Sequence, residues 1–144
     1  MLGAIVTLPA DTGYVPTAQD RASLEAWFAQ YDSHCTACRV EDMADMAVFP
    51  LNLVSDDSHG NGRSAQWDRR QFVETMKHVM GEGVSFTSTR TPVFLSAAMA
   101  VVFTDCTMTV DGETRRMHYA DVLIRKDGTW AFQTMIQGGW GDNL

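Results

Sequence analysis

The sequence is short of positive charge. It has 11 lysine and arginine residues against 18 aspartate and glutamate residues, so its formal net charge is −7. A chain with this balance repels the phosphate backbone of nucleic acids, and no basic stripe overcomes the repulsion. We therefore expect that the protein does not bind nucleic acid.

Long hydrophobic runs and a cysteine framework are also missing. No segment approaches the ~18 consecutive apolar residues of a membrane-spanning helix, and the apolar start at residues 1–10 lacks the positive charges of a signal peptide. Three cysteines are an odd number, which argues against a disulfide framework and for a reducing compartment. These absences predict a cytoplasmic protein that does not associate with membranes.

What is present fits one domain of α+β class over residues 1–144, with an irregular lead-in at 1–16. Apolar residues at helical spacing predict helices at 18–37, 40–47 and 68–80. Thr17 with Asp20, and Asp68 with Gln71, have the spacing of N-terminal capping boxes. The three helices therefore all precede the main strands.

The strand-like segments are rich in β-branched and aromatic residues. A short hairpin is predicted at 49–55 and 63–67, followed by four long strands that start near Val84. The run 92–110 reads as continuous, and Asp111-Gly112 and Asp127-Gly128 are tight-turn signals that separate the later strands. We expect all pairs within 84–137 to be antiparallel, in a curved sheet with helices on one face.

This element order, from about Ala18 to Trp140, resembles the nuclear-transport-factor-2-like superfamily of cone-shaped domains, which includes SnoaL-like polyketide cyclases and ketosteroid isomerases. The most specific match is Asp121-Val-Leu-Ile-Arg-Lys-Asp-Gly-Thr-Trp-Ala-Phe132, a strand, turn and Gly-x-Trp that opens the last strand. Trp67-Asp-Arg-Arg-Gln-Phe72 lies where the family begins its third helix. The resemblance implies a fold that hosts enzymes, ligand binders and interaction modules.

In the ketosteroid-isomerase branch, a helix tyrosine and a protonated strand aspartate form an oxyanion hole, and the resemblance puts Tyr31 and Asp121 at those points. It puts Asp56 near the catalytic base, although the family's Pro-x-Gly turn does not follow here. Strand alternation leaves a second reading open. If the other face of the strand lines the pocket, His118 is the titratable group and Asp121 points outward.

Three further features are given structural interpretations. Cys35 and Cys38 form a Cys-x-x-Cys at the end of a helix, which favours structural thiols over a redox or zinc site. Residues 57–62 read as a hairpin turn rather than a calcium loop. Arg90 has the charge to anchor a carboxylate ligand, but it is expected instead to pair with Asp105 or Asp121 across the sheet, since this needs nothing outside the chain. The proposed chemistry requires no metal and no organic cofactor.

The functional expectation is a SnoaL-like protein that binds a small apolar ligand and acts by proton transfer next to a carbonyl, as an isomerase, cyclase or dehydratase does. The alternative is a non-catalytic module of the same fold for dimerisation or for binding a ligand or partner. Phe94, Met99, Val101, Phe103 and Met108 cannot all face one small cavity. We therefore expect a homodimer through the outer face of the sheet.

Overall fold

The computed structural model describes residues 12–81 and 84–144. Residues 12–17 are irregular, as predicted for the lead-in, and the remainder of that prediction, residues 1–11, lies outside the described residues. No helix of the described ranges is both long enough and apolar enough to cross a membrane.

Three helices precede the long strands, as predicted: α1 (Ala18–Thr36), α2 (Val40–Ala44) and α3 (Arg69–Val79). Both capping boxes form, because the side chains of Thr17 and Asp68 each accept the backbone N–H three residues on. Helix α2 ends three residues before the predicted boundary of 47, since Ala47 already belongs to the first strand.

The six strands are β1 (Ala47–Asp56), β2 (Gly62–Trp67), β3 (Ser85–Ser96), β4 (Met99–Val110), β5 (Glu113–Lys126) and β6 (Thr129–Gln137). They form one sheet in the order β2-β1-β6-β5-β4-β3. Consecutive strands from β3 to β6 pair antiparallel, as expected. We call the helix-covered face of the sheet the inner face and the opposite one the outer face.

The turns between strands agree only in part with the sequence signals. Asp111-Gly112 and Asp127-Gly128 form the predicted turns, with positive φ at all four residues. The run 92–110, however, is not continuous: it turns at residues 97–98 between β3 and β4. The Ser96 hydroxyl accepts the Ala98 N–H at 3.0 Å there. This turn contains no glycine, asparagine or aspartate, so it had no recognisable signal.

The sheet also contains one parallel pair that the sequence did not predict. Strand β1 pairs parallel with β6, with Leu53 opposite Met135 and a register shift between Ala47 and Asn52. The short β1–β2 hairpin thereby extends the sheet made by the long strands. The two paired strands are about 80 residues apart in sequence (Leu53 to Met135), and no local pattern specifies such a contact.

The N-terminal end of α1 is fastened to the sheet by a polar cluster around Asp20. Its carboxylate accepts the Tyr14 hydroxyl at 2.6 Å and the Arg125 guanidinium at 3.2 Å. These bonds, Tyr14 first, hold the pKa of Asp20 down at about 2. The Trp130 indole N–H donates to Ser23 at 3.0 Å. The cluster fixes where α1 crosses β5 and β6.

Aromatic packing continues this contact along α1. The Trp27 ring meets Phe132 of β6 with ring centres 4.7 Å apart, and Tyr31 meets the same ring at 4.8 Å. Leu24 and Phe28 are buried beside them. Burial of such side chains contributes roughly 1.5–3 kcal/mol each, so this face of α1 is a main anchor of the helix on the sheet.

Candidate functional site

A cavity of about 510 Å³ lies between the helices and the inner face of the sheet. This volume is in the range of sites that bind small molecules. Its wall is mainly apolar and includes six of the chain's nine methionines: Met43, Met76, Met80, Met108, Met117 and Met135. Methionine side chains are unbranched and flexible, so such a wall can adapt to an irregular apolar ligand.

The strand register arranges the polar groups of the cavity in rows across the sheet. Asp121 of β5 lies opposite Val102 of β4 and Met135 of β6. One row nearer the Asp111-Gly112 turn, Tyr119 lies opposite Thr104, which in turn lies opposite Arg90 of β3. The two adjacent rows therefore bring Asp121, Tyr119 and Arg90 near one another on the inner face.

Asp121 is the most distinctive group of the cavity. Its residue is 5% exposed, and no side chain or backbone group of the described residues donates a hydrogen bond to its carboxyl. Burial raises the pKa of Asp121 to about 7, and the positive charge of Arg90 opposes this rise. A carboxyl with this pKa exchanges its proton near neutral pH, as a general acid or base must.

Two tyrosines place phenol groups in the same cavity. Tyr31 of α1 is stacked on Trp27, with ring centres 6.1 Å apart, and Tyr119 lies two residues before Asp121 on the same face of β5. Burial is the main cause that raises the pKa of both phenols. Each phenol therefore stays protonated and can donate a hydrogen bond to a ligand oxygen.

Arg90 also lines the cavity, but its charge is directed towards α1. Its two terminal nitrogens donate to the two carboxylate oxygens of Asp32 at 2.6 and 2.7 Å. The guanidinium lies 4.1 Å from the centre of the Phe28 ring. The expected pairing of Arg90 with Asp105 or Asp121 was thus wrong; Asp105 instead pairs with Arg116.

The structure decides between the two alternatives for β5. Met117, Tyr119 and Asp121 face the cavity, whereas His118 lies on the outer face with 69% of its side chain exposed. The His118 Nδ1 atom is 3.7 Å from Asp105. Tyr31 and Asp121 are therefore brought to one cavity, and His118 is not part of the candidate site.

Asp56 is also placed outside the cavity, which corrects the assignment of a base at this position. On β1 the residues 51, 53 and 55 are buried, so alternation directs Asp56 away from the core. Its carboxylate accepts the Gly139 N–H at 2.6 Å, which holds the chain after β6 against the end of β1. Asp56 has a structural partner, and it lies three residues beyond Leu53, the β1 residue in the same row as Asp121.

Two residues of the site were not predicted from the sequence: Tyr119 as a cavity residue and Asp32 as the partner of Arg90. Tyr119 had a signal, because it shares the strand face of Asp121 at a spacing of two residues. Asp32 had none, since its contact with Arg90 joins a helix to a strand 58 residues later. Only the packing of α1 on the sheet brings these two charges together.

Another group of potential metal-ligand atoms lies where the turn between β1 and β2 meets the segment after β6. Asp57, His59 and Asp142 offer one such atom each, within 4.8 Å of one another. The Asp57 carboxylate accepts the backbone N–H groups of His59 and Asn61 at 3.0 and 2.9 Å. The segment is therefore built as a turn closed by the aspartate, as expected for a hairpin connection.

Cys35 lies on the cavity wall and Cys38 at the exposed end of the helix, and both are free thiols. Burial raises the pKa of Cys35 to about 12, so its thiol stays neutral. A thiol of this kind is a poor nucleophile, because the thiolate is the reactive form. The position supports the structural interpretation of this pair.

No protein-family model and no curated protein matches the chain. Solved structures do match it. A Nostoc punctiforme domain of unknown function with a cystatin-like fold superposes with a TM-score of 0.66 at 14% identity, covering 85% of this chain and 78% of that one.

Two other solved structures carry names that mention a function. A Novosphingobium aromaticivorans protein named "Putative Scytalone Dehydratase" has a TM-score of 0.64 at 17% identity and covers 82% of each chain. A Xanthomonas campestris protein named "Putative calcium/calmodulin dependent protein kinase II association domain" has a TM-score of 0.60 at 19% identity, covering 93% and 92%. Similar matches include a Shewanella oneidensis protein described as NTF-2 like. The chain therefore has the nuclear-transport-factor-2-like fold.

Proposed function

We propose that the protein binds a small apolar carbonyl compound in the cavity and catalyses proton transfer next to the carbonyl, as isomerases, cyclases and dehydratases do. One observation carries this proposal: the buried Asp121 carboxyl, in an apolar cavity, has no hydrogen-bond donor among the described residues and a pKa of about 7. A structural carboxylate at such a depth is normally paired or hydrogen-bonded.

The chemistry follows from the three polar side chains in this part of the cavity. In its ionised form Asp121 removes a proton from the carbon next to the carbonyl, and the C–H electron pair moves to form an enolate. Phenols of Tyr31 and Tyr119 can donate to the enolate oxygen as its charge develops. Protonated Asp121 then returns the proton to another atom of the conjugated system, so one carboxyl serves both steps.

This scheme differs from the one implied by the family resemblance, because Asp56 is outside the cavity. Asp121 takes the part of acid and base, and the tyrosines take that of the oxyanion donors. The dehydratase name of the Novosphingobium neighbour belongs to the same general class of reaction. At 17% identity that likeness supports the fold, and the chemistry rests on the cavity itself.

The alternative is a non-catalytic module that binds a ligand or partner. It is favoured by the association-domain name of the Xanthomonas neighbour and by the apolar residues exposed on the outer face, such as Met99 and Phe103. The alternatives differ in what they require of Asp121: an enzyme needs its carboxyl to exchange a proton with the ligand, and a module does not.

Solvent deuterium exchange tests the proposal without knowledge of the natural substrate. A panel of apolar cyclic ketones is incubated with the protein in D₂O, and deuterium uptake next to the carbonyl is followed by NMR. We expect the wild-type protein to accelerate exchange for at least one ketone. Asp121→Asn should lose on the order of 10²-fold or more of this acceleration, because general acid–base catalysis contributes about 10²–10⁴-fold.

Tyr31→Phe should slow exchange by on the order of 10²-fold if its phenol stabilises the enolate. His118→Gln is a matched control on the other face of β5 and should leave the rate unchanged. Ketone binding without exchange above the buffer rate, together with an unaltered affinity in Asp121→Asn, would support the non-catalytic module instead.

A further inference from the structure

Arg90 presents a problem for the proposed role of Asp121, because a buried cation lies near the carboxyl that must remain unpaired. Its side chain is 15% exposed, and it lines the cavity together with Asp121. An opposite charge within about 4–6 Å lowers the pKa of a carboxyl by roughly 1–3. A direct ion pair would therefore keep Asp121 permanently ionised at neutral pH.

The register shows that such an ion pair is within reach. Arg90 and Asp121 are two strands apart and one inner-face row apart, which places their Cα atoms about 10 Å apart across the sheet and ~7 Å apart along it. Both side chains point to the inner face. An arginine extended along the cavity floor could span most of that separation, so sheet geometry alone does not keep the two charges apart.

The Asp32 carboxylate holds the guanidinium elsewhere. Both of its oxygens accept from Arg90, at 2.6 and 2.7 Å, in the two-pronged geometry that is the strongest for this pair of groups. Phe28 fixes the same guanidinium from its face, at 4.1 Å. Asp32 itself does not line the cavity; it lines a separate groove between α1 and β3, on the other side of Arg90 and Phe28.

We propose that Asp32 is a positioning residue: it acts as a competing counter-ion that holds Arg90 against α1 and leaves the Asp121 carboxyl unpaired in the cavity. This inference rests on the proposed function, since it explains how Asp121 is kept available for proton transfer. Arg90 stays close enough to complete the polar end of the cavity but is prevented from neutralising the reacting group.

Among residues 12–81 and 84–144, the other groups lining the cavity around Asp121 offer Arg90 no carboxylate. The ionisable side chains that face this part of the cavity from α1, β4 and β5 are the phenols and thiols of Tyr31, Cys35, Cys106 and Tyr119. Strand β6 contributes uncharged side chains, including Met135 and Gln137. Arg115 and Arg116 line the cavity farther along β5, and Arg116 pairs with Asp105.

The test measures the titration of Asp121 directly, by ¹³C NMR of its carboxyl carbon in protein labelled at aspartate. The Asp121→Asn variant assigns the signal. In the wild-type protein we expect a midpoint near pH 7. In Asp32→Asn the freed guanidinium should turn to Asp121 and lower its midpoint by at least about one pH unit. Asp32→Glu keeps the carboxylate and should restore the wild-type midpoint.

Loss of the negative charge of Asp32 can also lower the Asp121 midpoint directly, by long-range electrostatics, even if Arg90 does not move. A double variant separates this direct effect from the movement of Arg90. Arg90→Met keeps an apolar stem over Phe28 and should raise the midpoint above the wild-type value. Adding Asp32→Asn to Arg90→Met should then change little, because there is no guanidinium to release. An equal drop in both backgrounds, or an unchanged midpoint in Asp32→Asn alone, would overturn the proposal.

Folding and function are controlled separately. Asp32→Ser is a second neutral variant with the same expected shift. Asp105→Asn removes a carboxylate that pairs with a different arginine, Arg116, and should not move the midpoint. The titration does not require a ligand. A shifted midpoint without any ketone exchange in the wild-type protein would support the positioning role and reject the catalytic one.

Discussion

Asp121 shows at the level of a single residue how a functional group can cost stability. Burial of a carboxyl away from water disfavours its charged form unless a hydrogen-bond donor replaces the water. Among the described residues, no donor does so for Asp121. Tyr31 and Tyr119, by contrast, are neutral at physiological pH and are buried without this penalty. The cavity therefore contains one group whose charge state depends on pH near neutrality.

The pH dependence of stability follows from the sign of this shift. The folded state binds the Asp121 proton more tightly than the unfolded state, whose pKa is near 3.8. The resulting stabilisation is complete below that value and is lost as the pH rises through about 7. Between pH 5 and 8 the wild-type protein should lose roughly 2–3 kcal/mol more of its unfolding free energy than Asp121→Asn does.

Urea unfolding of both proteins at several pH values measures this difference. All other titrating groups, including Asp20, are common to the two proteins, so their contributions cancel in the comparison. Parallel pH profiles for wild type and Asp121→Asn would show that the Asp121 pKa is not raised in the folded state.

At the level of elements, the end of the chain is as important to the site as the long strands. After β6 the chain turns back onto β1, where the Ser55 hydroxyl donates to the Gln137 carbonyl at 2.6 Å and accepts the Trp140 N–H at 2.8 Å. These two hydrogen bonds hold the segment after β6 against β1 and place Trp140 on the cavity wall. The close approach depends on Gly141, whose Cα lies against the backbone of Asp56 and Asp57.

Gly141→Ala should therefore destabilise the protein, since the added methyl group would collide with backbone atoms that cannot rotate away. Overpacking of this kind typically costs roughly 1–3 kcal/mol. Gly62→Ala is a suitable control, because its position is open and its backbone φ is outside the left-handed region. Thermal and urea unfolding should show a loss for Gly141→Ala and a change within about 0.5 kcal/mol for Gly62→Ala.

Considered as a whole molecule, the protein has the three helices that precede the long strands, within its described residues, on one face of the sheet, the inner face. One row of the outer face crosses five strands and is apolar on four of them, at Phe103, Ala120, Ile136 and Val54, with Thr91 at its β3 end. Phe103 is 42% exposed and Met99, on the same face, is 47% exposed. Extended apolar patches of this kind usually mark an interface.

We expect this face to be covered by a second copy of the chain, which is the partner that a symmetric homodimer supplies. Sedimentation at micromolar concentration should give a dimer, and Phe103→Lys should give a monomer, because an unpaired charge would be buried in the contact. Val15→Lys changes an apolar residue that is 87% exposed away from the sheet and should leave the dimer intact. A monomeric wild-type protein would contradict this expectation.

The sequence by itself determined the features that depend on neighbouring residues. The capping boxes at Thr17 and Asp68 mark where α1 and α3 begin, and the Asp-Gly turns mark the ends of β4 and β5, because the required backbone bonds and φ values are local. Alternation also reduced the choice on β5 to two faces. Alternation could not show which face of β5 is covered by the helices, since both faces contain apolar residues.

Tertiary structure alone decided the contacts between distant segments. It turned Asp121 rather than His118 into the cavity, paired Arg90 with Asp32, joined β1 to β6 in parallel and gave Asp56 a backbone partner after β6. Each of these contacts depends on how helices and strands pack. Where a chain contains several cations and several carboxylates, the sequence does not show which of them will pair. The same packing makes the aspartate of β5 a group with a pKa near 7, because burial and the absence of a hydrogen-bond donor among the described residues are properties of the folded cavity.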